Sequence, residues 1–196
     1  MKKSLMILMC TMLASGALAT VDPDPDMLGV YFDTTANINC TTQAPSVPFF
    51  AYCIATNITA GEIFGVEFGY EILGGTGSYF RLAEILPSGS LNVGDSSLAD
   101  SGTYIMGFSS PLPGNGANAI VATWQFLLLA PVSMEIFIGP STPQSIPDGL
   151  PALEIGGVIV PIGVSTGLGN AAATINTECV VSTEEATFGS VKALFR

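Results

Sequence analysis

This 196-residue chain contains no histidine. Histidine is the base in many hydrolases and a ligand in many metal sites. Without an imidazole, the chain cannot assemble a Ser-His-Asp or Cys-His nucleophile, nor a metal site with imidazole ligands. Gly94-Asp95-Ser96-Ser97 resembles the segment that carries the nucleophilic serine in one family of hydrolases, but no histidine is present to act as its base. We therefore interpret that segment as a loop.

Carboxylates are the next group that could catalyse a reaction. Glu67 and Glu71 lie four residues apart on one expected strand, so their spacing is about 13 Å. That separation is too large for the paired carboxylates of a glycosidase. Glu62 or Glu84 could join a pair only through the fold. The sequence therefore assigns no catalytic residue and no cofactor, and it predicts a non-enzymatic protein.

Three aspartates near the N-terminus have the alternate spacing that opens a calcium loop. They are Asp22, Asp24 and Asp26. The intervening prolines oppose the curvature of such a loop, Met27 stands where glycine is required, and no glutamate follows at position twelve. We predict a solvated leader and no metal site. Weak calcium binding by loop acids is left open.

Cysteine is the remaining residue type whose side chain could react, by forming a disulfide. Cys40, Cys53 and Cys179 lie beyond the N-terminal apolar run that contains Cys10, and three cysteines allow three pairings. Cys40 and Cys179 both lie in polar contexts typical of strand edges, so a Cys40–Cys179 disulfide is the favoured pairing. The alternative is Cys40–Cys53 across a hairpin. Cys53 lies between Tyr52 and Ile54, where a buried free thiol acts as a small apolar residue.

The N-terminus has the three parts of a secretory signal peptide. Lys2 and Lys3 precede an apolar run over Leu5–Leu13, and Ala17-Leu18-Ala19 provides small residues for cleavage. We predict a signal peptide over residues 1–19 and an extended acidic leader over 20–27. The run is too short for a membrane anchor, and no later stretch is long enough to span. The expected location is periplasmic, secreted or on the extracellular surface, where disulfides persist.

The charge balance excludes several classes of partner. The chain carries 16 acidic and 5 basic residues, for a net charge of −11, and removal of Lys2 and Lys3 takes that value to −13. Nucleic-acid binding requires clustered Lys and Arg against phosphates, and anionic membranes repel an acidic surface. The acidity suits solubility, or contact with cations and neutral ligands such as glycans.

Period-two hydrophobic patterns recur along the chain and predict strands. The clearest places Val66, Phe68, Tyr70 and Ile72 on one face and Glu67, Gly69 and Glu71 on the other. Further strands are expected at Leu28–Asp33, Phe49–Thr56, Tyr79–Leu86, Thr103–Ser109, Ala119–Leu129, Met134–Ile138, Ala152–Ile155, Val158–Ile162 and Thr174–Val181. Gly- and Pro-rich turns separate them. The spacing predicts an all-β fold: an antiparallel two-sheet β-sandwich of about nine strands over residues 28–182, immunoglobulin-like or similar.

The C-terminal tail, residues 183–196, is expected to be a short helix capped by Thr183. Its apolar stripe comprises Phe188, Val191, Leu194 and Phe195, which are candidates for docking on a partner. The ending from Ala186 to Arg196 resembles the tail of many uncharacterised exported bacterial proteins, roughly Thr-Trp-Gly-x-Ile/Val-Lys-x-Leu-Tyr/Phe-Arg. Phe188 departs from the usual Trp. The resemblance implies a family of exported proteins and no activity.

The middle of the chain is similar to cohesin-like β-sandwich modules in the order of its strands. An early apolar strand precedes the alternating strand over Gly65–Ile72, a Gly-rich stretch follows near Ser88–Asp95, and a late strand ends near Phe126. This resemblance implies a β-sandwich.

The sequence thus predicts a binding or adhesion module for a glycan or protein ligand at the cell surface. Tyr79, Phe80 and Tyr104 are candidates for an exposed ligand face, with core packing as the alternative for each. The second hypothesis is a structural or assembly subunit docked through its tail, and an enzyme is the third. The oligomeric state is not predicted.

Overall fold

The computed structural model describes residues 24–177 and residue 179. The predicted signal peptide, residues 20–23 of the predicted leader and the end of the predicted domain lie outside this range. So does the tail with its candidate docking residues Phe188, Val191, Leu194 and Phe195. Within the described residues there is no helix that is long and apolar enough to cross a membrane.

The described chain is a β-sandwich of two sheets, which confirms the predicted fold class. Its thirteen strands are β1 (Met27–Tyr31), β2 (Cys40–Thr41), β3 (Pro48–Thr56), β4 (Glu62–Leu73), β5 (Tyr79–Ile85), β6 (Ser90–Asn92), β7 (Ser101–Pro113), β8 (Ala119–Leu128), β9 (Met134–Gly139), β10 (Ala152–Ile155), β11 (Val158–Pro161), β12 (Gly163–Val164) and β13 (Ala171–Ile175). The sequence predicted nine or ten. The short strands β2, β6 and β12 were missed because two or three residues are too few to show a period.

The first sheet has five strands in the order β12-β1-β3-β8-β5. Its pairs are antiparallel except β1 with β12, which is parallel. Strand β5 is one edge of this sheet, and it contains an irregularity between Arg81 and Ala83.

The second sheet has eight strands and is organised around the long strand β4. One edge of β4 pairs with β7, which in turn pairs with β6. The other edge is shared, since β10 pairs with residues Gly65–Glu67 and β9 pairs with residues Gly69–Leu73. Strand β11 extends β10, and β13 and β2 extend β9. The β2–β13 pair is parallel.

The core lies between the two sheets and follows the period-two pattern of the sequence. On β4, Val66, Phe68, Tyr70 and Ile72 are buried, while the glutamates between them face outward, as predicted. Trp124 of β8 is fully buried at the centre, and its ring lies in tilted or edge contact with the rings of Tyr70, Tyr104 and Phe126. Each buried aromatic side chain of this size removes about 150–250 Å² from water.

A disulfide joins Cys40 to Cys179, with the two Cα atoms 5.6 Å apart. It confirms the favoured pairing and excludes Cys40–Cys53. Cys53 is a buried free thiol, and desolvation raises its pKa well above the ordinary value. The bridge links β2, at the edge of the eight-stranded sheet, to the chain that follows β13.

Candidate functional site

Two of the three aromatic residues predicted for a ligand face belong to the core. Tyr104 has no exposed surface and Tyr79 is 7% exposed, whereas Phe80 is 54% exposed. The prediction was wrong for Tyr79 and Tyr104, because both point toward the opposite sheet. Phe80 faces outward from the five-stranded sheet.

Tyr104 is the centre of a hydrogen-bonded network that connects the two sheets. Trp124 donates its indole N–H to the Tyr104 hydroxyl oxygen (2.7 Å), and Tyr104 donates its hydroxyl to the Glu84 carboxylate (2.6 Å). Glu84 also accepts a hydrogen bond from the Ser96 hydroxyl at 3.1 Å. The Trp124 N–H, the Tyr104 hydroxyl and both carboxylate oxygens of Glu84 therefore have partners, as burial demands.

Arg81 extends the network to the loop of residues 93–100. Its guanidinium donates to the Tyr70 hydroxyl (2.5 Å) and to the backbone carbonyl of Ser96, and it lies 3.8 Å from the Glu84 carboxylate. Tyr70 donates in turn to the carbonyl of Leu98 at 2.7 Å. The loop is thus tied to the core by side chains from both sheets.

Burial raises the pKa values of the tyrosines in this region. Desolvation and the hydrogen bond to Glu84 raise the pKa of Tyr104 far above the ordinary value. Desolvation raises the pKa of Tyr79 to about 12. Desolvation also raises the pKa of Tyr70, although the neighbouring Arg81 opposes that shift. These phenols stay protonated at physiological pH, so none of the three tyrosines acts as a general base.

The outer face of the eight-stranded sheet carries a first depression with glycine as its floor. Gly107 of β7 pairs directly with Gly65 of β4. Walls rise on both sides, formed by Leu91 and Val93, each 69% exposed, and by Ile159, 36% exposed. The depression has a volume of about 600 Å³.

A second depression lies farther along β4 on the same face. Its floor is the pair Gly69 of β4 and Gly139 of β9, and its volume is about 760 Å³. Leu73, Phe137 and Leu168 are among the residues that line it. Because Gly65 and Gly69 are four residues apart on one strand, the two floors are separated by about 13 Å.

The four glycines differ in the reason for their presence. A Cβ on Gly65 would lie 2.7 Å from the carbonyl oxygen of Met106, and one on Gly69 would overlap the carbonyl oxygen of Pro140. By contrast, a Cβ on Gly107 or Gly139 would meet no atom within 4 Å. The neighbouring backbone therefore requires glycine at positions 65 and 69. At positions 107 and 139 a side chain would fit, and glycine there keeps the depressions open.

Carboxylates surround the two depressions. Glu67, Glu71, Glu135 and Glu154 all project from this face, as the register of β4, β9 and β10 requires. Glu67 lies between the two glycine floors, where it accepts hydrogen bonds from the Ser145 amide (3.1 Å) and the Ser141 and Ser145 hydroxyls. Among the described residues, no group of three or more His, Cys, Asp or Glu side chains could hold a metal ion. We name this surface, with its two depressions and four glutamates, the glycine-floored face.

Sequence reasoning did not identify the glycine-floored face. The signal that was available is the presence of Gly65, Gly69, Gly107 and Gly139 inside strands, where glycine often marks a close approach of another chain. Their alignment into two pairs depends on the register of three strands that are distant in sequence.

Comparison with known proteins supports the fold. No family model and no curated protein matches this sequence. A type II cohesin domain from the cellulosome of Acetivibrio cellulolyticus is similar in structure, with a TM-score of 0.52, 14% identity, and coverage of 78% of this chain and 96% of the cohesin. The sixth cohesin of scaffoldin B from the same organism, solved in complex with a Cel5 dockerin mutant, gives a TM-score of 0.50, 9% identity, and coverage of 79% and 100%. The cohesin-like resemblance is therefore confirmed at the level of the fold, and the tail resemblance stays a prediction.

Proposed function

We propose that this chain is a non-enzymatic protein-binding module whose ligand docks on the glycine-floored face. The observation that supports the proposal most directly is the pair of open depressions with glycine floors and exposed aliphatic walls. A side chain of the partner can enter each depression because Gly107 and Gly139 leave its floor free of side chains. Exposed apolar walls such as Leu91 and Val93 are typical of protein contact surfaces.

A protein ligand fits this face better than a glycan does. Glycan sites use exposed aromatic rings for stacking, whereas the most exposed wall residues here are Leu91, Val93 and Leu168. The fold is also shared with a cohesin that was solved in complex with a dockerin, so the scaffold is compatible with a protein partner. The surrounding glutamates favour a partner segment that carries Lys or Arg near its apolar anchors.

The experiment that tests this proposal fills the depressions without disturbing the fold. Gly107→Arg and Gly139→Arg each place a long side chain over open space at a position with ordinary backbone geometry. Immobilised wild-type chain is exposed to the exported proteins of its host, and retained proteins are compared with those retained by each variant. We expect Gly107→Arg or Gly139→Arg to reduce retention of a specific protein at least about tenfold, a change of about 1.4 kcal/mol.

The matched control is Phe80→Arg, which adds the same side chain to the outer face of the other sheet and should leave retention unchanged. Retention that is equal for wild type and both glycine variants would count against the glycine-floored face. A glycan array is the parallel measurement. If the wild type binds a glycan selectively and Gly107→Arg does not, the ligand of this face is a glycan and not a protein.

We also propose that the chain is exported and works outside the cytoplasm. The predicted signal peptide and the Cys40–Cys179 disulfide support this proposal, since such bridges persist in oxidising compartments. N-terminal sequencing of the protein recovered from its host should begin at Thr20. Recovery of the intact N-terminus from the cytoplasmic fraction would contradict the proposal.

The alternative role, an assembly subunit docked through Phe188, Val191, Leu194 and Phe195, is a prediction from the sequence alone. Truncation before Glu184 tests it, because a sorting or docking tail is needed for the protein to reach its final location. Equal localisation of the truncated and full-length chains would exclude the tail as a sorting signal.

A further inference from the structure

The outer face of the five-stranded sheet carries an uncharged patch that is exposed mainly at β5 and Phe50, whereas Tyr31 and Ile54 on the same face are buried against Ala36. Nine outward side chains form three rows across β3, β8 and β5, as the strand register shows. The rows are Pro48, Leu127 and Phe80; Phe50, Gln125 and Ala83; and Tyr52, Thr123 and Ile85. We name this surface the β3–β8–β5 face. Phe50, Phe80 and Ile85 are 39%, 54% and 53% exposed, and Phe50 stacks on Tyr52 with ring centroids 6.3 Å apart.

None of these nine positions carries a charge, although the chain as a whole is strongly acidic. Residues 24–177 contain six aspartates, six glutamates and one cation, Arg81. Four of those glutamates project from the glycine-floored face on the opposite sheet. On β5, Arg81 and Glu84 lie opposite the inward residues Phe126 and Trp124 in the strand register. Their side chains therefore point inward and belong to the interior hydrogen-bonded network. Five of the six glutamates are therefore placed away from the β3–β8–β5 face.

We propose that the β3–β8–β5 face is where two copies of this chain associate, sheet against sheet around a two-fold axis. Two copies with the same negative charge repel each other along most of their surfaces, and this face lets them approach without opposing carboxylates. A two-fold axis brings identical apolar patches together, which makes the face complementary to itself. The proposal is independent of the ligand proposed for the glycine-floored face.

Pairing through the sheet edge is the other route to a dimer, and the edge strand opposes it. Strand β5 contains a bulge at Leu82 and carries inward-pointing charges at Arg81 and Glu84. A bulge and inward charges are devices that keep edge strands from pairing with another chain. Strand β5 is therefore a poor edge for pairing with a second chain, which favours association through the face beside it.

The size of the face sets the strength of the association. Three strands about 4.8 Å apart with outward residues about 7 Å apart give an area on the order of 300 Å². A stable dimer buries about 800 Å² on each partner. Exposed Val47, Leu82 and Leu129 lie beside the face and enlarge it. We therefore expect weak association that depends on protein concentration.

Sedimentation velocity over a concentration series tests the proposal with the exported form of the full chain. The mean mass should rise from monomer toward dimer as concentration increases. Association should be stronger at about 0.5 M salt than at about 0.01 M, because salt screens the repulsion between the two acidic copies. Phe80→Glu and Ile85→Glu each place a carboxylate on the face of both copies, and each should weaken association at least about tenfold.

Leu91→Glu is the matched control, because Leu91 is exposed on the opposite sheet; it should associate as the wild type does. Far-UV circular dichroism and the fluorescence of the buried Trp124 check that each variant is folded. A monomer at every concentration and at both salt levels would overturn the proposal. Equal association of wild type and Phe80→Glu would also overturn it. Flotation of the monomeric chain with phosphatidylcholine vesicles would overturn it too, because the face would then be a lipid contact.

Discussion

Trp124 of the five-stranded sheet donates its indole N–H to the hydroxyl oxygen of Tyr104 in the eight-stranded sheet, at 2.7 Å. The Tyr104 hydroxyl can accept this bond and still donate to Glu84 at 2.6 Å. One buried phenol thus satisfies a donor from one strand and an acceptor from another. Because both sheets contribute, the bond fixes their relative position in a way that apolar packing alone does not.

Tyr104→Phe should therefore destabilise the protein. Removal of the hydroxyl leaves the Trp124 N–H and one carboxylate oxygen of Glu84 without this partner, which costs about 1–3 kcal/mol. Tyr79→Phe is the matched control, since no partner is present for the buried Tyr79 hydroxyl among the described residues. We expect that variant to be neutral or slightly stabilised. Urea unfolding followed by Trp124 fluorescence measures both, and equal effects of the two substitutions would contradict this account.

Arg81→Met should loosen the loop of residues 93–100 selectively. Arg81 donates to the Ser96 carbonyl and to the Tyr70 hydroxyl, so its loss removes part of the hydrogen bonding that ties the loop to the core, while the bond from Tyr70 to Leu98 can remain. Hydrogen exchange should accelerate at the amides of Val93 and Thr103, which donate to Ile105 and Asp95. Arg81→Lys keeps the charge but lacks the forked donors, and we expect it to restore protection only in part. Unchanged exchange in Arg81→Met would show that the loop is held by other contacts.

The Cys40–Cys179 disulfide should contribute strongly to stability, because the bridge spans 139 residues. The chain-entropy model gives about 5 kcal/mol for a loop of that length, and measured values commonly fall below it. The double substitution Cys40→Ser with Cys179→Ser should therefore lower the free energy of unfolding by about 3–5 kcal/mol. Cys53→Ala tests the free thiol separately.

Peptide mapping without reduction should recover Cys40 and Cys179 in one fragment. Cys53 should resist alkylation until denaturant is added, because it is buried and desolvation raises its pKa. Rapid alkylation of Cys53 in the native protein would contradict the assigned pairing or the burial of this thiol.

Asp33 should give the protein a dependence on pH in the acid range. Partial burial raises its pKa, but hydrogen bonds from Thr35 and from the Ile38 and Asn37 amides outweigh that effect and lower the pKa below the ordinary value. Because the folded-state pKa is the lower one, the stabilisation is fully present above the unfolded value of about 3.9 and is lost as pH falls through the folded value.

Asp33→Asn should lower the free energy of unfolding by about 1 kcal/mol at neutral pH, with a smaller difference from wild type in strong acid. Unfolding measured from acid to neutral pH tests this expectation, and Glu135→Gln controls for the loss of one negative charge. A difference between Asp33→Asn and wild type that does not change with pH would refute the role assigned to the carboxylate.

The sequence predicted local features because a period of two can be read from adjacent residues. On β4 the pattern gave both the buried residues and the outward glutamates, and this prediction was confirmed. The same pattern could not tell that Tyr79 and Tyr104 were core residues, because alternation separates two faces without saying which one is covered. The choice between core and ligand face depends on the opposing sheet.

The sequence by itself determined the class of this protein. The absence of histidine removed imidazole chemistry, alternation and turn residues determined a β-sandwich, and the contexts of Cys40 and Cys179 favoured the correct bridge. Tertiary structure decided the candidate surfaces. Arg81 and Glu84 are three residues apart, so a regular strand would place them on opposite faces, and only the bulge at Leu82 turns both inward. The glycine pairs form because β4 meets β7 and β9 in one register, and pairing between distant strands follows from packing of the whole domain, which no local pattern encodes.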